Sequence, residues 1–137
     1  MDISEAQSFL SEHHRGVLVT RKRDGSLQMS PVSPGVDAAG RVIITSRETA
    51  YKIMNLRRDP RASLCVFTDA FHGSNWIQID GRPEILSLPE AMEPLIDWHR
   101  RVKGEHLNWT EYRQTMEKQR RVLLRLTIES AGPDRKG

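Results

Sequence analysis

Lys52 is the side chain of this 137-residue sequence whose surroundings point most directly to a ligand. It lies in the stretch RVIITSRETAYKIMNLRRDPRASLCVF, from Arg41 to Phe67. An apolar run, Val42 to Ile44, ends there in Thr45, Ser46 and Arg47, and a helical pattern with Lys52, Asn55, Arg57 and Arg58 follows. Two hydroxyls, a helix start and an ammonium are the parts of a phosphate cradle, because the first N–H groups of a helix are unpaired and carry partial positive charge. Spacing alone has a simpler account: Thr45 caps the helix in a capping box with Glu48, Lys52 is a solvated lysine, and Arg57 and Arg58 pair with Asp59.

Other chemistry is missing. The five histidines show no metal-binding spacing, and with one cysteine, Cys65, neither a zinc site nor an internal disulfide is expected. No nucleophile elbow, P-loop or dinucleotide fingerprint occurs, and no catalytic residue can be named. An enzyme of this sequence would leave its chemistry to a cofactor.

The elements that must position Lys52 read as follows. A short helix spans Ala6 to His14, with Ser4 as its candidate cap. Strand Gly16 to Thr20 enters a hairpin at Asp24-Gly25, and Pro31 and Pro34 end or bulge the returning strand. An Asp37–Gly40 turn feeds strand Val42 to Ile44, and the Lys52 helix turns its apolar Ala50, Ile53 and Met54 inward. Strand Ala62 to Phe67, a Gly/Ser loop and strand Trp76 to Asp80 come next. In the last of these Trp76 and Gln78 alternate with Ile77 and Ile79, and Gly81 marks a bulge or bend before a further run from Pro83 to Leu88. Two helices follow, the first opened by a Ser87–Glu90 capping box with Pro94 in its early turns. Asn108 caps the second, which turns Tyr112 and Met116 inward. A final strand runs from Arg121 to Glu129, and residues from about 130 to 137 read as a disordered tail. The spacing predicts one domain, mainly β with peripheral helices, built on six or seven antiparallel strands.

Composition bounds the rest. Hydrophobic residues make up 37% and charged residues 28%, the balance of a globular domain. No apolar run reaches the ~18 residues of a membrane helix, and the N-terminus has no secretory pattern, so a cytoplasmic location is expected. A net charge of +3 mildly favours anionic partners such as phosphates, polycarboxylates or nucleic acid, and is too small to choose among them. The chain lacks the aromatic pairs and basic stripe of a single-strand binder, so no nucleic-acid partner is expected.

Four stretches together resemble one family. They are GVLVTRKRDGSLQMSPV (Gly16 to Val32), GRVIITS (Gly40 to Ser46), TSRETAYKIMNLRRDPRASL (Thr45 to Leu64) and GEHLNWTEYRQTMEKQRRVLLRL (Gly104 to Leu126). The resemblance is to the flavin and deazaflavin oxidoreductases of the pyridoxamine 5'-phosphate oxidase-like superfamily, and the last stretch resembles the deazaflavin-dependent actinobacterial branch. It implies a split β-barrel with greek-key connections, working as a homodimer with the cofactor in a groove between subunits. The implied cofactor is coenzyme F-420, a deazaflavin, with FMN as the alternative. The implied reaction is hydride transfer from the reduced cofactor to a conjugated acceptor of quinone, enone or tetrapyrrole type. An FMN oxidase and a non-catalytic deazaflavin binder are the alternatives.

Position by position, Lys52 matches the family's phosphate-binding lysine, with Thr45 and Ser46 beside it. Gln28, Ser30, Pro31 and Val32 fall on the strand along the cofactor ring. Asn55 matches the helix asparagine, and Trp76 the place from which a partner subunit contributes. Relatives carry a second basic residue at Ala50 or Tyr51. Neither is basic here, and Arg47 is the candidate replacement.

Overall fold

The computed structural model describes residues 1–70 and 75–134. The expected Gly/Ser loop at 71–74 and the last three residues lie outside that range. Helix α1 (Ile3–Glu12) is capped by Asp2 rather than Ser4, and the Glu5 carboxylate accepts from the Asp2 N–H at 3.3 Å. Strands β1 (Arg15–Arg21) and β2 (Leu27–Val32) form the expected hairpin, whose turn places Gly25 at φ +86°. Pro31 does not end β2. It pairs with Val17 on an edge strand, where the missing N–H need cost no ladder bond.

Strand β3 (Gly35–Val36) and β4 (Val42–Arg47) flank the Asp37–Gly40 turn, in which the Asp37 carboxylate accepts from the Ala39 and Arg41 N–H groups. After α2 (Tyr51–Arg58) come β5 (Ala62–Phe67) and β6 (Trp76–Leu86), whose register shifts at Asp80/Gly81. Helix α3 (Met92–Val102) starts later than the Ser87 cap predicts, so Pro94 sits in its first turn, where no N–H is needed. Helix α4 (Trp109–Lys118) does begin at its expected cap, with the Asn108 side chain accepting from the Glu111 N–H at 3.1 Å. Strand β7 runs from Arg121 to Gly132, beyond the expected end, and Ser130, Ala131 and Gly132 pair with Asp80, Ile79 and Gln78 instead of starting a tail.

The seven antiparallel strands form one sheet in the order β2-β1-β5-β6-β7-β4-β3. In a flat sheet its two edges would stand about 29 Å apart, six spacings of ~4.8 Å. Yet only Ser33 and Pro34 connect β2 at one edge to β3 at the other, a span of at most about 11 Å. The sheet must therefore curl into a half-barrel. The crossing is pinned from both sides: the Trp98 indole donates to the Ser33 carbonyl at 2.9 Å, and His14 Nδ1 lies 2.9 Å from the Pro34 carbonyl.

Alternation fills the barrel. Leu18, Leu64, Ile77, Ile79, Leu124 and Leu126 are buried inside it, Ala6 and Leu10 of α1 pack into the same core, and so do Ile53 and Leu56 of α2. Each leucine or isoleucine among them contributes about 1.5–3 kcal/mol on burial. Ile43 and Leu123 point the other way, into a second core beneath α3 and α4 with Leu95, Trp98, Tyr112 and Met116. β4 and β7 are thus covered on both faces. The opposite wall is not: Leu27 and Met29 of β2 are 46% and 62% exposed. Among the described residues no helix is long and apolar enough to cross a membrane.

Candidate functional site

The cradle takes a different form from the expected one. Thr45, Ser46 and Arg47 belong to β4, and α2 begins only at Tyr51 after a turn closed by the Ala50 N–H on the Arg47 carbonyl at 3.1 Å. Thr45 is therefore no cap, and the Thr45–Glu48 capping box does not form. Strand alternation also sends Thr45 and Ser46 to opposite faces, so their hydroxyls do not converge. The Ser46 hydroxyl is buried and donates to the Arg47 carbonyl at 3.0 Å. Thr45 Oγ1 is buried with no hydrogen-bond partner among the described residues. Neither hydroxyl is open to a bound phosphate.

What the fold does assemble is a group of cations. Arg47 stands directly opposite Arg121 in the β4–β7 ladder. Lys52, in the first turn of α2, is half-buried, and burial with the added repulsion of Arg121 lowers its ammonium pKa. Arg121 is held down by its own burial and by Arg47. Its guanidinium donates to the Gln119 carboxamide at 2.9 Å. Tyr112 provides no counter-charge at neutral pH, since burial pushes its phenol up to about 12. Among the described residues no carboxylate pairs with Lys52, Arg47 or Arg121. The expected pairs are displaced as well: Asp59 holds Arg61 at 2.6 Å, and Arg58 reaches the Arg21 carbonyl at 2.7 Å.

On the other side of α2 a cleft of ≈ 430 Å³ opens toward the β1–β2 hairpin. Gln28 forms one wall, Tyr51, Met54 and Arg58 the helix side, and Lys22 and Arg23 the rim. Met54 is 50% exposed here, so the inward residue of the helix is Leu56 rather than Met54. Asn55 is buried. It donates to the Thr20 hydroxyl at 3.1 Å and accepts from Arg58 at 3.0 Å, so both ends of its carboxamide are engaged in fixing α2 to β1.

Along β2, Gln28, Ser30 and Val32 face inward and Pro31 outward with Met29. Gln28, Asn55 and Lys52 are thus gathered around one helix. Trp76 is not among them. It pairs with Phe67, which pairs with Arg15, whereas Gln28 pairs with Thr20. Five residues of β1 separate those rows, about 17 Å of strand. Trp76 also lies on the outer face, so within one chain it cannot meet Gln28.

Sequence reading missed Arg121, Tyr51 as a cleft residue, and the hairpin cations Lys22 and Arg23. The one available signal was the basic pair Arg120-Arg121 opening a strand. Among the described residues no group of three or more metal-ligating side chains occurs.

The model of the family described as pyridoxamine 5'-phosphate oxidase matches residues 3–132. A conserved hypothetical protein from Mycobacterium tuberculosis superposes with a TM-score of 0.77 at 22% identity, covering 96% of this chain and 82% of that one. An F420 reductase gives 0.71 at 20% identity, covering 92% and 94%. A FAD-binding protein from Mesorhizobium loti gives 0.61 at 22% identity, covering 96% and 90%. At these identities the likeness is one of fold.

Proposed function

The chain belongs to the pyridoxamine 5'-phosphate oxidase family, and from that premise we propose that it is an oxidoreductase that binds an anionic flavin-type cofactor, the deazaflavin coenzyme F-420, and reduces a conjugated small molecule. The observation that carries this reading is the unpaired group of Lys52, Arg47 and Arg121. Like charges gathered at a half-buried corner destabilise one another until an anion arrives. A phosphate there fits the donor set: one ammonium as a point charge and two guanidinium forks. Arg121 and Arg47 supply the positive charge that Ala50 and Tyr51 do not.

The remaining residues orient and enclose. Backbone and side-chain groups of β2 from Gln28 to Val32 would lie along the ring. Asn55 holds α2, and with it Lys52, at a fixed distance from β1. When bound and reduced, the deazaflavin supplies a hydride to the acceptor. The outer face with Leu27, Met29 and Pro31 would pack against a second copy, bringing Trp76 of that copy toward the groove.

Titrating the protein separately with oxidised deazaflavin and with FMN, following cofactor fluorescence, tests this reading. Tight deazaflavin binding with weak FMN binding is expected. Preference for FMN would transfer the assignment to the flavin. Binding of neither would end it.

A further inference from the structure

We propose that the cleft between α2 and the β1–β2 hairpin is a second ligand site, which docks the acceptor, and that the acceptor is a planar organic anion held through a carboxylate by Lys22 and Arg23. The assignment of the ligand as acceptor rests on the reading above; the binding itself does not. At ≈ 430 Å³ the cleft falls within the size range of small-molecule sites. Its floor is a stripe on α2. Tyr51, Met54 and Arg58 follow one another at i, i+3 and i+7, and Tyr51 and Met54 are 74% and 50% exposed. An aromatic face beside an adaptable thioether suits a flat conjugated body.

The rim selects charge. Lys22 and Arg23 form no ion pair among the described residues, although Lys22 is close enough to add to the lowering of the Asp24 carboxyl pKa, and the hydrogen bonds of the nearby acids go elsewhere. Asp24 accepts from the Ser26 N–H at 2.9 Å and from its hydroxyl at 2.6 Å, and Asp59 is held by Arg61. Arg58 adds a cation fixed in place by the Arg21 carbonyl and Asn55. Tyr51 and Lys52 are consecutive, and consecutive side chains on a helix diverge by about 100°. One helix therefore presents the phosphate cations to one side and the Tyr51–Met54 stripe to the other, and Gln28 and Asn55, which also line the cleft, are where the two ligands would adjoin.

The test uses cofactor-free protein and two fluorescent probes, 1-pyrenecarboxylate and uncharged 1-pyrenemethanol, followed by anisotropy. The carboxylate is expected to bind about tenfold tighter than the alcohol, the effect of one charge-assisted hydrogen bond. The double variant Lys22→Gln/Arg23→Gln should bring the carboxylate down to the level of the alcohol, and Tyr51→Ala should weaken both probes. Equal binding of the two probes, no measurable binding of the carboxylate, or an unaltered double variant overturns the proposal. So does complete displacement of the probe by oxidised deazaflavin, which would give the cleft to the cofactor's own acidic tail. Failure of deazaflavin and FMN to bind would refute the cofactor reading while leaving the probe result intact.

Discussion

Arg47 and Arg121 face each other directly across neighbouring antiparallel strands, and among the described residues neither has a carboxylate partner. Such a pair is destabilising by a few tenths of a kcal/mol to about 1 kcal/mol in a sheet. With Lys52 beside it, the corner is a place where the fold holds positive charge in readiness.

Replacing Lys52 by alanine should weaken deazaflavin binding about tenfold or more, the loss of a charged hydrogen bond of ~1.5–3 kcal/mol. The same variant should melt no lower than the wild type, because a repulsive neighbour of Arg121 is gone. Unchanged affinity in a fluorescence titration would remove Lys52 from the site.

The lowered pKa of Lys52 sets a pH dependence of definite sign. The ammonium loses its proton at a lower pH than an ordinary lysine does, through burial first and Arg121 second. Anion affinity should fall as pH rises through that window. Apoprotein stability should rise between the lowered pKa and the ordinary lysine value, since the unfolded chain then binds more protons. Titrations across the alkaline range on wild type and Lys52→Arg check this. The arginine variant should keep its affinity where the wild type loses it.

Thr45 separates the observed site from the one its sequence suggests. Its buried, unpartnered hydroxyl costs about 1–3 kcal/mol. Thr45→Val should raise stability by about 1 kcal/mol in urea unfolding and leave cofactor affinity unaltered. A loss of affinity would return Thr45 to the list of ligand donors.

That contrast shows how far the sequence was legible. Alternation located the strands, because Leu18, Ile77 and Ile79 obey period two over a single buried face. The end of strand β7 was harder to delimit: Glu129 and Ser130 are both exposed opposite the Asp80/Gly81 register shift, so the alternation breaks off before the strand does. The phosphate corner was half visible. Lys52 sits in a recognisable run, but Arg121 joins it only through the β4–β7 pairing, which no local spacing encodes. The Thr45–Glu48 spacing matched a cap by chance, because the ladder to Leu123 keeps Thr45 extended.

Asn55→Leu should destabilise the fold by about 1–3 kcal/mol, leaving the Thr20 hydroxyl buried without its partner. Urea unfolding measures the loss. Near-normal stability would mean that α2 is held by Ile53 and Leu56 alone.

Met29→Glu should turn a dimer into a monomer by light scattering, because it puts a charge at the centre of the exposed β2 face. A wild-type protein that is already monomeric would refute the proposed assembly.

The place of β7 in the sheet bears on how the protein is made. β7 lies between β6 and β4 and pairs with both, yet it is the last strand in the order of the chain. During synthesis the ribosome releases β4 and β6 with one hydrogen-bonding edge each still unmatched, and they must wait for β7. The nascent chain therefore carries open edges from the emergence of β4 until β7 follows, an interval in which pairing with a neighbouring chain competes with closure of the sheet.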